Sequence, residues 1–410
     1  LSDFNVPMAI LYPDEYAVSA KDATKSKMTF SDTHLNRPDL AYYTLIGNKH
    51  MFRWEQAKGV QEFEYEPILI KPSSFEEYIF DFIANEVAVG TLDKIRLLED
   101  VLLNPLLVKM EVRNLAPEKI PPLDVDLAIR QLVRVVDEWK ALQNIDEPFD
   151  FDADDPASKD NYLNADKLVD LGMGDLVLAC FFHGAFENGI DTLVEEFTRN
   201  SNDAGLQELR KFWIPRGISS KYEELERMVQ DSLTWKTENG ETTRKKVFIV
   251  SPSRKQGRTG PVLQRQFTET NEDGSKTSRD LYAQYELDTI NDTQLIKRLR
   301  EWTKGLCDEN DILFIDGSVT IGKSRDAVIQ RWVESPDAAV MLVNLEAAYQ
   351  SRDYTLNKLA DQFGRKIDGI EIFYLGYPWY FQRLLQQSRR HQRQGQLVPG
   401  RNRIFEVEDL

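Results

Sequence analysis

Apolar positions along this chain follow two periods, and the switch between them marks its organisation. YEPILIKPSSFEEYIFDFIANEV (65–87) opens on a short apolar run and passes, after Pro72, Ser73 and Ser74, into apolar residues at helical spacing. The pattern predicts a strand and then an amphipathic helix, with Ser73 or Ser74 as N-cap and Glu76 and Glu77 in the first turn. DKIRLLEDVLLNPLLV (93–108) keeps the helical spacing as far as Asn104 and Pro105. From about 117 to 215 the spacing stays helical. It runs through LDVDLAIRQLVRVVDEWKALQ (123–143) and GDLVLACFFHGAFENGIDTLVEEF (174–197), where His183 sits among apolar residues and reads as a core or boundary histidine.

Beyond Pro215 and Gly217 the period changes. SSKYEELERMVQDSLTW (219–235) predicts a capped helix and KKVFIVS (245–251) a strand. A polar stretch with an Asp-Gly signal at 273–274 predicts a hairpin. Helices at 293–304, 324–334, 355–363 and 378–394 then alternate with strands at 311–316, 338–344, 370–374 and 403–408. Short β-branched runs alternating with helices imply an α/β fold whose parallel sheet is covered on both faces, with sites at the C-terminal ends of the strands. No internal repeat is visible, and residues 1–60 do not read as a complete domain.

Composition narrows the picture. The 410 residues are 41% hydrophobic and 10% aromatic, enough to build two or three domains with real cores. A net charge of −17 argues against indiscriminate nucleic-acid binding but leaves room for a local basic groove. The densest acidic tract, 144–160, carries seven Asp or Glu against one Lys. It reads as a solvated loop, with a metal or basic-partner site as the alternative. Two distant cysteines, Cys180 and Cys307, and four scattered histidines argue against a disulfide framework or a zinc ribbon. A reducing location, cytoplasmic or nuclear in a eukaryote, is the default. No apolar run reaches the roughly 18 residues of a membrane helix, so no membrane is expected as a partner. Because the sequence starts at Leu1, it is expected to be a fragment or processed product.

Two motifs carry chemistry. GSVTIGKS (317–324) fits the phosphate-cradling G-x-x-x-x-G-K-[ST] loop and joins a strand to a helix, which would make Lys323 and Ser324 phosphate and Mg²⁺ contacts. Such a loop also needs a strand ending in Asp to hold Mg²⁺, and the later strands supply none. The second motif lies in QQSRRHQRQGQ (386–396). Here Gln386, Arg390, Arg393, Gly395 and Gln396 form Q-x-x-x-R-x-x-R-x-G-Q, inside a stretch from Gly376 to Arg403 with six arginines and no acid. At helical spacing Gln386, Arg390 and Arg393 share one face. Arginine's planar, permanently charged fork suits phosphate oxygens. The bland alternative is a helix end whose arginines favour its C-terminal dipole.

The second string resembles the last motif of the Swi/Snf-type ATPases of helicase superfamily two, complete at all its fixed positions. Its neighbours agree. SSK (219–221) before the strand KVFIVS resembles the entry to the family's second RecA-like lobe, and FIDGSVTIGKSRDAVIQRWVESPDAAVMLVN its strand, Asp-Gly-Ser, Arg and aromatic-ended helix, with Arg325 and Trp332 in those positions. One departure is LEAAYQSRDYTLNKL, which lacks the family's glycines after the strand ending at Asn344. The resemblance implies a RecA-like parallel sheet lobe over 219–410, inter-lobe linker helices over 65–109, a helical insertion over 110–218, and the end of a first lobe or its linker over 1–64. It implies that Arg390 and Arg393, with Gln386, act as arginine fingers toward ATP, with Gly395 and Gln396 beside the nucleotide. Mg²⁺ and most of the ATP would be held by a first lobe, so that the chain alone hydrolyses ATP negligibly. Nucleic acid, expected to be double-stranded DNA, would lie along Ser251, Ser253, Gly317, Ser318, Arg325 and Asn344. A protein partner would dock on the helical insertion. A self-contained phosphate-loop NTPase and a non-catalytic scaffold are the alternatives.

Overall fold

Six parallel strands decide where everything else packs. They are β1 (Glu64–Ile70), β2 (Arg244–Ser251), β5 (Ile312–Ile315), β6 (Val340–Asn344), β7 (Ile367–Tyr374) and β8 (Gly400–Val407), in the order β1-β8-β7-β2-β6-β5. The computed structural model describes residues 64–147, 161–183, 189–199, 201–215, 219–234, 243–252, 266–270, 276–280, 295–315, 323–344, 354, 356, 367–376, 391 and 398–408. The chain divides into units of residues 1–60 and 61–410, and all the described residues belong to the second. Every adjacent strand pair in the sheet is parallel.

The central strands β2 and β6 are buried almost end to end, which is why KVFIVS and VMLVN read as continuous apolar runs. β1 sits at an edge, with Tyr65 and Leu69 exposed and Ile70 inward. The first described strand therefore pairs with the last, β8, and closes one side of the sheet. β3 (Gln266–Thr270) and β4 (Lys276–Asp280) pair as a separate antiparallel hairpin, and the Asp273-Gly274 signal between them lies outside the described residues.

One sheet face is covered by Tyr222, Leu225, Met228 and Val229 from the helix Ser220–Leu233 and by Leu295, Ile296 and Leu299 from the helix Leu295–Trp302, all packed on Val247, Ile249, Leu342, Phe373 and Phe405. The other face packs Ile329 and Trp332 of the helix Lys323–Glu334, with Tyr354 and Leu356, on Phe248, Val250, Met341, Val343 and Ile372. This is the α/β arrangement, a parallel sheet covered on both faces, that the alternating pattern implies.

Between β1 and the Ser220 helix lies an all-helical body: α1 (Ser74–Glu86), α2 (Thr91–Leu103), α3 (Leu106–Leu115), α4 (Val125–Gln143), α5 (Ala165–Asp170), α6 (Gly174–His183), α7 (Gly189–Thr198) and α8 (Ala204–Phe212). Ser220–Leu233, Leu295–Trp302 and Lys323–Glu334 are then α9, α10 and α11. The body has one hydrophobic core, in which Phe75, Ile79 and Ile83 of α1 meet Phe181 and Phe182 of α6 and Leu132 and Val136 of α4. Its helix starts are capped as the sequence chemistry demands. Ser73 and Glu76 form a reciprocal capping box on α1, while Asp124, Asn164 and Asp203 each accept a backbone N–H of the helix they precede. Asn104 breaks α2 and restarts α3, its Oδ1 accepting Leu106 N–H at 3.0 Å. At Gly189 a Cβ would lie 1.7 Å from the Cys180 carbonyl oxygen, so only glycine permits α6 and α7 to approach this closely.

One expectation is corrected. His183 is exposed at the last position of α6, where its Nε2 lies 3.1 Å from the Pro121 carbonyl oxygen; it is not a core histidine. The expected helices at 355–363 and 378–394, apart from Leu356 and His391, and the acidic stretch 148–160 lie outside the described residues. Among the described residues no helix is long and apolar enough to cross a membrane.

Candidate functional site

In a parallel α/β sheet the strands all deliver their last residues to one edge, and that edge is where ligands are met. Here β2 ends at Ser251 and β6 at Asn344, and the two are direct register partners. Both are buried, at 2% and 8% exposure, so their polar groups sit at the rim and not on open surface. Next to β6, β5 ends at Ile315 and the chain resumes as α11 at Lys323. Arg325 lies in the first turn of α11 and is 3% exposed. On the other side of β2, β7 ends at Tyr374, followed by Leu375, whose N–H donates to the Val250 carbonyl at 3.1 Å.

The fold thus brings Ser251 and Asn344 side by side and sets Arg325 in the helix that follows the next strand. Ser253, Gly317, Ser318, Gln386, Arg390, Arg393, Gly395 and Gln396 lie outside the described residues. The arginine motif nevertheless has one described member, His391, which is fully buried. Its ring meets Phe248 of β2 edge-on with centroids 4.5 Å apart and stacks on Tyr354 at 5.4 Å and 21°. Phe248 in turn contacts Trp332 of α11 at 5.7 Å. An aromatic cluster therefore ties the centre of the motif to the middle of the sheet. The sequence reading gave His391 no role. Its position among arginines and glutamines disguised it.

Buried cations surround this frame. Lys246 is fully buried; its Nζ donates to the Trp332 carbonyl and, at 2.8 Å, to the Ser335 carbonyl, and it lies 4.5 Å from the Trp332 ring centroid. It closes the C-terminus of α11, where a cation is favoured. Burial still lowers its amine to about 7, with Arg244 pushing the same way and Asp311 and Asp337 opposing. Further across, Lys245 pairs with Glu371 at 2.7 Å, Glu371 with Arg403 at 3.0 Å, and Arg403 with Glu66 at 3.4 Å. This ladder crosses β2, β7, β8 and β1 in their order in the sheet, which marks it as strand-to-strand glue. Cys180, inside α6, has its thiol pushed up to about 12 by burial and is chemically inert.

Among the described residues, the donor set at the rim does not fit Mg²⁺. Its described members are a serine, an asparagine and an arginine, with no carboxylate. Among the described residues no three His, Cys, Asp or Glu come together as a metal site. The strand ends offer small polar groups, the chemistry that meets phosphates without reading bases, although Ser251, Asn344 and Arg325 are themselves buried.

No family model matches the chain, and no curated protein matches it. Solved structures similar to it include the C-terminal part of the Fun30 ATPase domain, at 11% identity, covering 85% of this chain and 87% of that one with a TM-score of 0.35. The Pyrococcus furiosus Hef helicase domain is similar at 10% identity, over 87% of this chain and 59% of that one, with a TM-score of 0.31. Domain 2 of the DEAD-box helicase Mss116p, solved bound to an RNA duplex, is similar at 13% identity over 46% and 49%, with a TM-score of 0.26. At such scores these likenesses add nothing to what the sheet itself shows.

Proposed function

We propose that residues 219–410 act as the second RecA-like lobe of a Swi/Snf-type, superfamily-two ATPase that is stimulated by double-stranded DNA. Arg390 and Arg393 serve as arginine fingers toward ATP held by another lobe. The observation that carries the reading is His391. It is buried against Phe248 and Tyr354 while Arg390 and Arg393 flank it in sequence. His391 itself is thereby seated on the sheet, and the sequence around it, from Gly376 to Arg403, has six arginines and no acid. Phosphoryl transfer asks a protein mainly to position groups and to neutralise charge on the γ-phosphate, and a paired arginine face does both when the lobes close. Gln386, Gly395 and Gln396 complete that face. Ser251, Ser253, Gly317, Ser318, Arg325 and Asn344 form the DNA track at the strand ends, where small polar groups meet phosphates without reading bases. Mg²⁺ belongs with the lobe that holds the triphosphate.

The test is Arg390→Ala and Arg393→Ala in the full-length protein. Each should lower DNA-stimulated ATP turnover about a hundredfold or more while ATP binding persists. Turnover equal to wild type sinks the reading.

One observation favours the competing phosphate-loop reading: α11 begins at Lys323, so GSVTIGKS does join a strand to a helix. Against it, β5 has β6 as its sheet neighbour, and β6 ends on Asn344 where a magnesium carboxylate belongs. Lys323→Ala discriminates. It abolishes nucleotide binding if the loop is a phosphate cradle and leaves it unchanged if the lobe is an arginine donor.

A further inference from the structure

Three consecutive residues, Ser219, Ser220 and Lys221, tie the helical body to the functional edge of the sheet. Ser219, 2% exposed, caps α9 and donates its hydroxyl to the carbonyl of Leu103, the last residue of α2, at 2.9 Å. Ser220 donates its backbone N–H to Glu76 Oε1 at 2.9 Å and its hydroxyl to Glu76 Oε2. Glu76 is 3% exposed and also closes the capping box of α1 through Ser73 N–H at 2.9 Å. One buried carboxylate therefore faces the N-termini of two helices, α1 in the body and α9 against the sheet. That is a favourable place for an anion. Lys221, 6% exposed, sends its ammonium to the carbonyl of Leu375 at 3.2 Å, just past the end of β7.

Lys221 is in a costly place for a cation. It is buried, it stands in the first turn of α9 at the positive end of the helix dipole, and no ion pair holds it among the described salt bridges. Burial lowers its amine to about 8, opposed by the charges of Glu76 and Glu99. A methionine of similar volume would remove the cost of burying the ammonium. What methionine lacks is a donor to Leu375. The Leu375–Gly376 turn is the root from which the chain leaves the sheet toward the arginine motif.

We infer that Lys221 is a positioning residue. It fixes the turn at Leu375–Gly376, and Glu76 with Ser220 makes that fixing depend on the seating of the helical body. This rests on the ATPase reading for its catalytic consequence, though the linkage itself is structural. The helical body then acts as more than an appendage, because a partner that shifts α1 shifts the root of the arginine segment through four hydrogen-bonded residues.

The test uses the full-length protein carrying Lys221→Met, Lys221→Arg, Glu76→Gln or Ser220→Ala, with three readouts: amide hydrogen exchange over residues 370–376, thermal unfolding, and duplex-DNA-stimulated ATP turnover. Lys221→Met should accelerate exchange at Leu375 and Gly376 about tenfold, and Glu76→Gln and Ser220→Ala should do so by smaller factors. Lys221→Met should also lower kcat about tenfold with little change in KM for ATP, at an unchanged or higher Tm, and Lys221→Arg should recover part of it. Unchanged exchange at Leu375 and Gly376 in Lys221→Met overturns the inference. So does a kcat loss that merely tracks a falling Tm. A wild-type protein with no ATP turnover overturns the ATPase reading instead, while the exchange data still decide the linkage.

Discussion

The helical body and the sheet lobe solve the same burial problem by different means. In the sheet, order comes from register: β2 and β6 are apolar on both faces, and their neighbours fix them strand by strand. In the body, order comes from close approach of helices and from caps that satisfy each helix start. Their buried charges differ accordingly. The sheet strings Lys245, Glu371, Arg403 and Glu66 across four strands. The body keeps Lys109 buried with its ammonium 5.2 Å from the Phe181 ring centroid. The sheet lobe is thus specified by long-range pairing and the body by short-range helix chemistry, and substitutions should damage the two in different ways.

The largest break should come from Gly189→Ala. Its new Cβ meets the Cys180 carbonyl at 1.7 Å, backbone that no rotamer change relieves, so α6 and α7 must separate. A loss of about 4 kcal/mol or more is expected, read as faster amide exchange through α6 and α7 with β2, β6 and β7 unaffected. Equal deprotection of the sheet would show that the two regions are one cooperative unit.

Next comes Glu371→Ala. The substitution leaves Lys245 and Arg403 facing a vacant centre of the ladder, with Glu371 itself 3% exposed in the intact protein. Breaking such a pair should cost about 3 kcal/mol, seen as a lower denaturation midpoint and looser exchange in β7 and β8. Loss confined to the body would contradict the assignment of the ladder to the sheet.

A smaller effect follows from Lys246. Its folded amine, near 7, lies below the usual lysine value, so the folded state binds fewer protons than the unfolded chain between pH 7 and about 10. Stability should therefore rise with pH across that window, by on the order of 1 kcal/mol or more, and Lys246→Met should flatten the rise. Lys221, near 8, adds a share in the same direction that survives in the variant. Denaturation midpoints taken from pH 7 to 10 check the sign; a fall across the window refutes it.

The same contrast explains what the sequence revealed. Central strands announce themselves, because a strand covered on both faces must be apolar throughout; KKVFIVS, AAVMLVN and IEIFY became β2, β6 and β7. The rim pair Ser251 and Asn344 was legible for the same reason, since a predicted strand end predicts a rim residue. Caps were legible too, and Ser73 was one of two serines named for α1. His183 was misread because its neighbours in α6 are apolar, although the helix ends there and turns it outward. The partners of Glu76 were invisible. Local chemistry made it a first-turn acid, but no periodicity announces that Ser220, far along the chain, will share its carboxylate. Long-range polar contacts leave no repeat for a single sequence to display.

The smallest prediction separates the regions most sharply. Asp124 caps α4 by accepting the Leu127 N–H at 3.0 Å, at an exposed position far in sequence from any sheet strand. Asp124→Ala should cost about 1 kcal/mol. If the body and the lobe unfold separately, that loss moves the body's transition alone, and exchange in β2 and β6 keeps its wild-type protection. If the Ser219–Ser220–Lys221 linkage couples them fully, the same small loss should appear in both at equal size. Repeating the measurement on Ser220→Ala then isolates the linkage. Uncoupling by Ser220→Ala should confine the Asp124→Ala loss to the body, and persistence of an equal loss in the sheet would place the coupling in the apolar contacts between α9 and its neighbours.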